Sequence, residues 1–206
     1  EVEAVSELVR GRAVLEAGCG TGLVLQRLAA LASSARGFDL SAGMLTRARA
    51  RGLDEALGSV TSVPFADESF DVVCSFKVLA HVPQIELALR ELARVTRPGG
   101  HLVLEFYNPL SLRYLAKRLA GPQPIAPGRT EADVFTRWDR PGAIAGLLPP
   151  GLEIRDFRGV RVVTPAAFVH EIPLLRRVVA GAERACLRSP LRRFGGFLLA
   201  IVEKAA

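Results

Sequence analysis

The spacing of hydrophobic positions changes several times along the chain, and each change marks an element. Val2, Val5, Leu8 and Val9 recur at helical spacing and predict a helix over Val2 to Val9, ended by Gly11. Arg12 to Ala17 reads as a short buried strand. Leu23, Leu25, Leu28 and Leu31 return to helical spacing up to about Ala32. Ala35 to Leu40 predicts a second strand with Asp39 near its end, and Ser41 is placed to cap a helix containing Met44, Leu45 and Ala48. Glu55 to Val60 is a weaker third strand. Phe70 to Phe76 is a continuous apolar strand. Gln84 to Thr96 is an amphipathic helix with Ile85, Leu89, Leu92 and Val95 on one stripe. Pro98 and two glycines stop it, and His101 to Tyr107 is the fifth strand.

This alternation predicts βαβ units around a mainly parallel sheet. After Tyr107 the pattern changes. A helix is expected over Pro109 to Leu119, then a Pro/Gly-rich stretch and a short helix from Pro141 to Leu148. Leu152 to Val163 is a long strand candidate. Pro165 to Arg188 is helical in pattern with a break at Pro173, and Leu191 to Glu203 is a closing strand. The expected organisation is a single domain over residues 1–206. Residues 1–107 would hold a ligand, and residues 108–206 would carry helical caps at about 108–150 and 165–190.

Three glycines, Gly18, Gly20 and Gly22, stand between the first strand and the next helix. Glycine admits positive φ and lets a ligand approach the backbone, and a helix N-terminus offers free N–H groups. The spacing is G-x-G-x-G, not the dinucleotide G-x-G-x-x-G, and no Lys-Ser/Thr follows as in a phosphate loop. On the glycines alone, a tight turn without a ligand is the alternative reading. Two acids narrow it. Asp39, about twenty residues on, stands where a carboxylate accepts from ribose hydroxyls. Glu16 precedes the turn, where it suits a cationic ligand or organises the loop.

Composition changes this picture little. Half of the 206 residues are hydrophobic, as in ordinary globular proteins. No apolar run reaches the ~18 residues of a membrane span, and no secretory signal is visible. Cys19, Cys74 and Cys186 form neither a CxxC pair nor an even set, so they read as small buried residues in a reducing, cytoplasmic setting. Residues 1–107 carry 11 basic and 13 acidic groups, −2, and residues 108–206 carry 16 and 8, +8. The basic half could face an anionic partner, but no nucleic-acid-binding motif accompanies it.

The segments VLEAGCGTG, GFDLSAGML, VPFADESFDVVCSFKVLAHVP and ELARVTRPGGHLVL resemble, in order and spacing, successive motifs of the class I S-adenosylmethionine-dependent methyltransferases. The resemblance covers about residues 12 to 107. It points to the small-molecule branch that contains the ubiquinone and menaquinone biosynthesis methyltransferases. It implies a Rossmann-like α/β fold: a seven-stranded, mostly parallel sheet with an antiparallel last strand, helices on both faces and helical cap insertions. It implies S-adenosylmethionine as cofactor, S-adenosylhomocysteine as product, and no metal.

Carried over residue by residue, the resemblance sets the backbone of Gly18, Cys19 and Gly20 against the methionine part of the cofactor, with Glu16 near its amino end. It puts Asp39 on the ribose, Leu40 and Met44 beside the adenine, and backbone groups of Ser75 and Phe76 along the cofactor. Many relatives carry Gly-Asp-Ala after the third strand; here Ser59 takes the acidic position, leaving its hydroxyl or the Val60 N–H for adenine. Lys77, Tyr107, Asn108, Trp138 and His170 are the candidates for substrate contact. No fixed motif announces a general base. His81 is the candidate, with a packing role as the alternative. The expected reaction is in-line transfer of a methyl group to oxygen or carbon of a small-molecule acceptor, with no nucleic-acid partner. The alternatives are methylation of RNA or protein, and a cofactor-binding scaffold without turnover.

Overall fold

A computed structural model describes residues 1–162 and 173–206. The expected site residue His170 and the start of the 165–188 helical segment lie outside the described residues.

The chain opens with helix α1 (Val2–Val9), followed by β1 (Ala13–Ala17), α2 (Leu23–Ala29), β2 (Ser34–Asp39), α3 (Ala42–Arg49) and β3 (Asp54–Leu57). Next come β4 (Phe70–Ser75), α4 (Ile85–Val95) and β5 (Thr96–Tyr107). The second half holds α5 (Leu112–Ala120), a small hairpin of β6 (Pro124–Ala126) and β7 (Arg129–Thr130), and the short α6 (Pro141–Ile144). It closes with β8 (Leu152–Val160), α7 (Pro173–Cys186) and β9 (Phe197–Lys204).

Seven strands form one sheet in the order β3-β2-β1-β4-β5-β9-β8. Strands β1 to β5 pair in parallel, and β9 runs antiparallel to both neighbours, β5 and β8. This is the sheet that the sequence implies. Side chains alternate between its two faces. One face packs Leu15, Val73, Leu102 and Leu104 under Leu89, Leu92 and Val95 of α4. The other packs Val14, Val72, Cys74 and Val103 against Val5 and Val9 of α1 and Leu28 of α2. All four stripe positions anticipated on α4 are buried.

Several boundaries differ from the sequence reading. The fifth strand begins at Thr96, because Phe70 pairs with Thr96 and the glycines are absorbed by a register shift. Ser111 accepts from the Tyr114 N–H, so α5 starts at Leu112 and not at Pro109. The closing strand starts at Phe197. Before it, Pro190–Phe194 form a 3-10 turn, capped by Ser189 with proline in its first turn, the position where proline's missing N–H costs nothing.

Chain direction across the sheet reverses between β1 and β4: β2 and β3 lie to one side, β5 to the other. Open α/β sheets bind ligands in the crevice at the carboxyl ends of such a pair.

Candidate active site

A cleft of about 380 Å³ opens at that switch point. Gly18, Phe38, Asp39 and Leu40 come from the ends of β1 and β2, and Gly58, Ser59, Val60 and Thr61 from the turn after β3. Lys77, Val78, His81, Val82, Pro83 and Gln84, after β4, close the far wall.

The glycine turn is built by close approach. Gly18 has φ +76°, and a Cβ there would lie 2.2 Å from Val78 Cγ2. Gly22 has φ +80°, and its Cβ would lie 2.3 Å from Leu53 Cδ1. Gly20, at φ +54°, has open space above it, and its N–H donates to Asp39 Oδ2 at 2.8 Å. Asp39 Oδ1 accepts from the Ser41 N–H at 2.9 Å. Both oxygens are thus oriented by backbone while the residue still lines the cleft. Ser59 lies at the turn after β3, its Oγ 2.8 Å from Thr61 Oγ1. Leu40 is exposed at the mouth of the cleft; Met44, on the first turn of α3, does not line it.

Glu16 and Glu105 sit behind the glycine turn. Each follows a core valine by two residues on its strand, so both point to the α1 side of the sheet. Glu16 is 2% exposed and Glu105 0%. Glu16 Oε2 and both Glu105 oxygens have no hydrogen-bond partner. Burial pushes Glu16 up to about 8, with the Glu1 carboxylate adding to the effect. Burial, then Glu1, does the same to Glu105. Cys19 is a backbone participant only: its thiol packs with Leu25 and Leu45, and burial raises it to about 12. Ser75 Oγ donates to Ala17 O, bracing the β4 end against β1, and Phe76 is buried in the α1-side core. Lys77, at φ +59°, pairs with Glu1 at 2.7 Å.

His81 lies on the cleft wall. Its Nδ1 is 3.0 Å from the Phe135 carbonyl. A carbonyl only accepts, so Nδ1 carries the proton and Nε2 is the free acceptor. Nε2 faces the Tyr107 hydroxyl at 3.4 Å, and the two rings meet edge-on. Tyr107 also stacks against Trp138 and Phe197, and burial raises its phenol above the ordinary value. The segment carrying Trp138 is tied down by Arg137 N–H to Ala80 O and Asp139 N–H to Tyr107 O. His81, Tyr107 and Trp138 are therefore brought together.

Asn108 is not part of that group. It is fully buried, and its amide N–H groups donate to Arg193 O and Gly195 O. Its Oδ1 accepts from the Leu110 N–H. This bracing of the chain replaces the substrate contact expected from sequence. His101 is half-buried beside Arg12, in the middle of β5 and away from Tyr107. The cleft also uses Phe38, Gly58, Val78, Val82, Pro83 and Gln84, which sequence reasoning did not single out. The available signal was position: the loop after β4 must face the switch point.

A methyltransferase-domain family matches residues 15–104. A demethylmenaquinone methyltransferase from Mycobacterium sp. (strain KMS) is 43% identical over 100 residues, 48% of this chain and 44% of its own length. A malonyl-[acyl-carrier protein] O-methyltransferase from Erwinia billingiae is 36% identical over 118 residues, 56% of this chain and 46% of its own. The chain thus spans less than half the length of these relatives. Solved structures share the fold along nearly the whole chain. A possible histamine N-methyltransferase from Thermotoga maritima aligns with TM-score 0.69 at 20% identity, covering 100% of this chain and 87% of that one. An S-adenosylmethionine-dependent methyltransferase from Mesorhizobium loti aligns with TM-score 0.65 at 22% identity, covering 96% and 93%. Residues 15–104 thus match a methyltransferase domain seated on this seven-stranded sheet, and the chain resembles the class I S-adenosylmethionine-dependent methyltransferases, the quinone-biosynthesis enzymes among them.

Proposed function

We propose that the chain transfers a methyl group from S-adenosylmethionine to oxygen or carbon of a small-molecule acceptor. The observation that carries this reading is the cleft at the switch point, with bare glycine backbone on one wall and His81, backed by Tyr107, on the other.

The residues fit the cofactor. Asp39 presents an oriented carboxylate to the ribose hydroxyls. Leu40 offers apolar contact to the adenine, with Met44 nearby on α3, and Ser59 or the Val60 N–H offers a polar contact. Glu16 has an orphaned buried oxygen, which suits a cationic group beside the glycine turn. When bound, the cofactor supplies a methyl group on a sulfonium, whose leaving group needs no protonation.

The chain's own share is positioning and proton handling. His81 Nε2, once its long hydrogen bond from the Tyr107 hydroxyl is given up, takes a proton from an acceptor hydroxyl or acidic carbon, while the Phe135 carbonyl holds the resulting imidazolium by its Nδ1–H. Tyr107 and Trp138 pack behind His81, so an apolar or aromatic acceptor would meet aromatic rings beyond it. Lys77 stands at the entrance. The names of the relatives, one acting on a quinone precursor and one on a carrier-bound acid, support a small-molecule acceptor.

The test is transfer of labelled methyl from S-adenosylmethionine to a panel of phenols, hydroxyquinones and carboxylic acids, with RNA and protein in parallel. Label in a small molecule, reduced about 10²-fold or more in His81→Ala, is expected. Label entering only RNA or protein would move the acceptor to the alternative class. Cofactor binding without transfer to any acceptor favours the scaffold.

A further inference from the structure

The helix α5 is turned inside out. At about 3.6 residues per turn, Leu112, Leu115, Ala116, Leu119 and Ala120 form one continuous apolar arc. A helix lying on a protein ordinarily buries such an arc. Here it faces outward: Leu112 is 61%, Leu115 54% and Leu119 81% exposed. The polar side faces the protein. Lys117 pairs with Glu131 at 2.5 Å, Tyr114 stacks on Trp138 at 4.7 Å between ring centres, and Arg113 lies 5.0 Å over the Phe197 ring. No residue of α5 is buried. The apolar surface continues into the hairpin, where Ile125 is also exposed.

Along residues 108–130 the charge has one sign, and the Glu131 that follows is paired with Lys117. Residues 108–130 contain Arg113, Lys117, Arg118 and Arg129 and no acidic residue. Arg118 is exposed at the edge of the leucine arc, with its guanidinium 6.0 Å over the Tyr114 ring, and Arg129 stands on the hairpin. An apolar strip with a cationic border fits a surface that is apolar within and anionic at its rim. A second copy of the chain fits poorly, because a two-fold contact would oppose the same cations.

We infer that the outward face of α5 and the adjoining hairpin dock the protein on an anionic phospholipid bilayer surface. The leucines enter the acyl boundary, and Arg118 and Arg129 meet lipid phosphates. No helix among the described residues is long and apolar enough to cross a membrane, so the contact is peripheral. Trp138 lies beneath α5 against the helix's own Tyr114, and Tyr107 also packs against Trp138.

The experiment is flotation of the whole chain with vesicles of phosphatidylcholine alone and of phosphatidylcholine mixed with phosphatidylglycerol. It reads lipid binding and needs no methyl transfer. The expected result is binding to the anionic vesicles, weakened by salt. It should fall at least about tenfold in the Leu115→Gln/Leu119→Gln variant, since two leucines no longer reach apolar surroundings. Those side chains are solvent-facing, so the melting temperature should stay unchanged. Arg118→Gln/Arg129→Gln should weaken binding to anionic vesicles only. Absence of binding by folded protein, undiminished binding by the leucine variant, or equal binding to both vesicle types overturns the assignment. A leucine-dependent dimer in sedimentation, without vesicle binding, overturns it in favour of self-association.

Discussion

Replacing Glu105 by Gln should stabilise the protein at neutral pH and leave it nearly unchanged in acid. The side chain is 0% exposed, neither oxygen has a hydrogen-bond partner, and burial raises its carboxyl from 4.5 to about 8. The folded protein therefore keeps this proton at a pH where the unfolded chain has released it. A raised acid favours the folded state below the unfolded value, and that advantage is lost as pH rises from about 4.5 to about 8. At about 1.4 kcal/mol per unit, the parent gives up roughly 3 kcal/mol by pH 7 and 4–5 kcal/mol above pH 8. Gln has the shape of the protonated acid and no proton to lose. Urea unfolding of both proteins across pH 4 to 9, followed by circular dichroism, should show two curves that meet in acid and diverge toward alkali. Parallel curves would refute the reasoning, because they would mean that Glu105 ionises in the folded state at its ordinary value.

Glu16 gives a related prediction with a ligand. A cation bound beside it should draw off its proton, so calorimetric enthalpies of cofactor binding at pH 7 should depend on the buffer. They should report release of up to one proton, and Glu16→Gln should abolish the dependence. Gly18→Ala should disturb the cleft twice over, through φ +76° and the contact with Val78, costing on the order of 1–3 kcal/mol in chemical unfolding. Gly20→Ala, with open space above it, should cost less. Arg158 is buried, donates to Ala4 O, and pairs with Glu7 and Asp156. Arg158→Ala should cost about 3 kcal/mol or more and speed amide exchange selectively in residues 2–9; uniform exchange would count against a clamp on α1.

Much of the frame was legible because it is written in local periodicity. The strand-glycine-helix start, the stripe of α4 and the antiparallel last strand all follow from spacing and from the family resemblance. What escaped depended on contacts distant in sequence. Arg113 and Lys117 turn toward Phe197 and Glu131, and Arg118 lies over the Tyr114 ring. Asn108 read as a cleft residue because it follows a strand end; its partners near Arg193 are invisible in local pattern. Nothing in the residues neighbouring Glu105 announces that α1 covers it. The 3-10 turn at Pro190–Phe194 carried its own signal in Ser189 and Pro190. The glycines and Asp39 announced themselves by chemistry, whereas Val78 and Pro83 contribute only shape.

The central claim is that the cleft between Gly18, Asp39 and His81 holds S-adenosylmethionine. Calorimetric titration of the chain with S-adenosylmethionine, with NADH in parallel and Asp39→Ala as control, tests it most directly. The account predicts one site with micromolar affinity for S-adenosylmethionine, no binding of NADH, and a loss of about 1–3 kcal/mol in the variant, the scale for removing one partner of a buried hydrogen bond. Absence of S-adenosylmethionine binding by the folded chain, or equal affinity in Asp39→Ala, would contradict it.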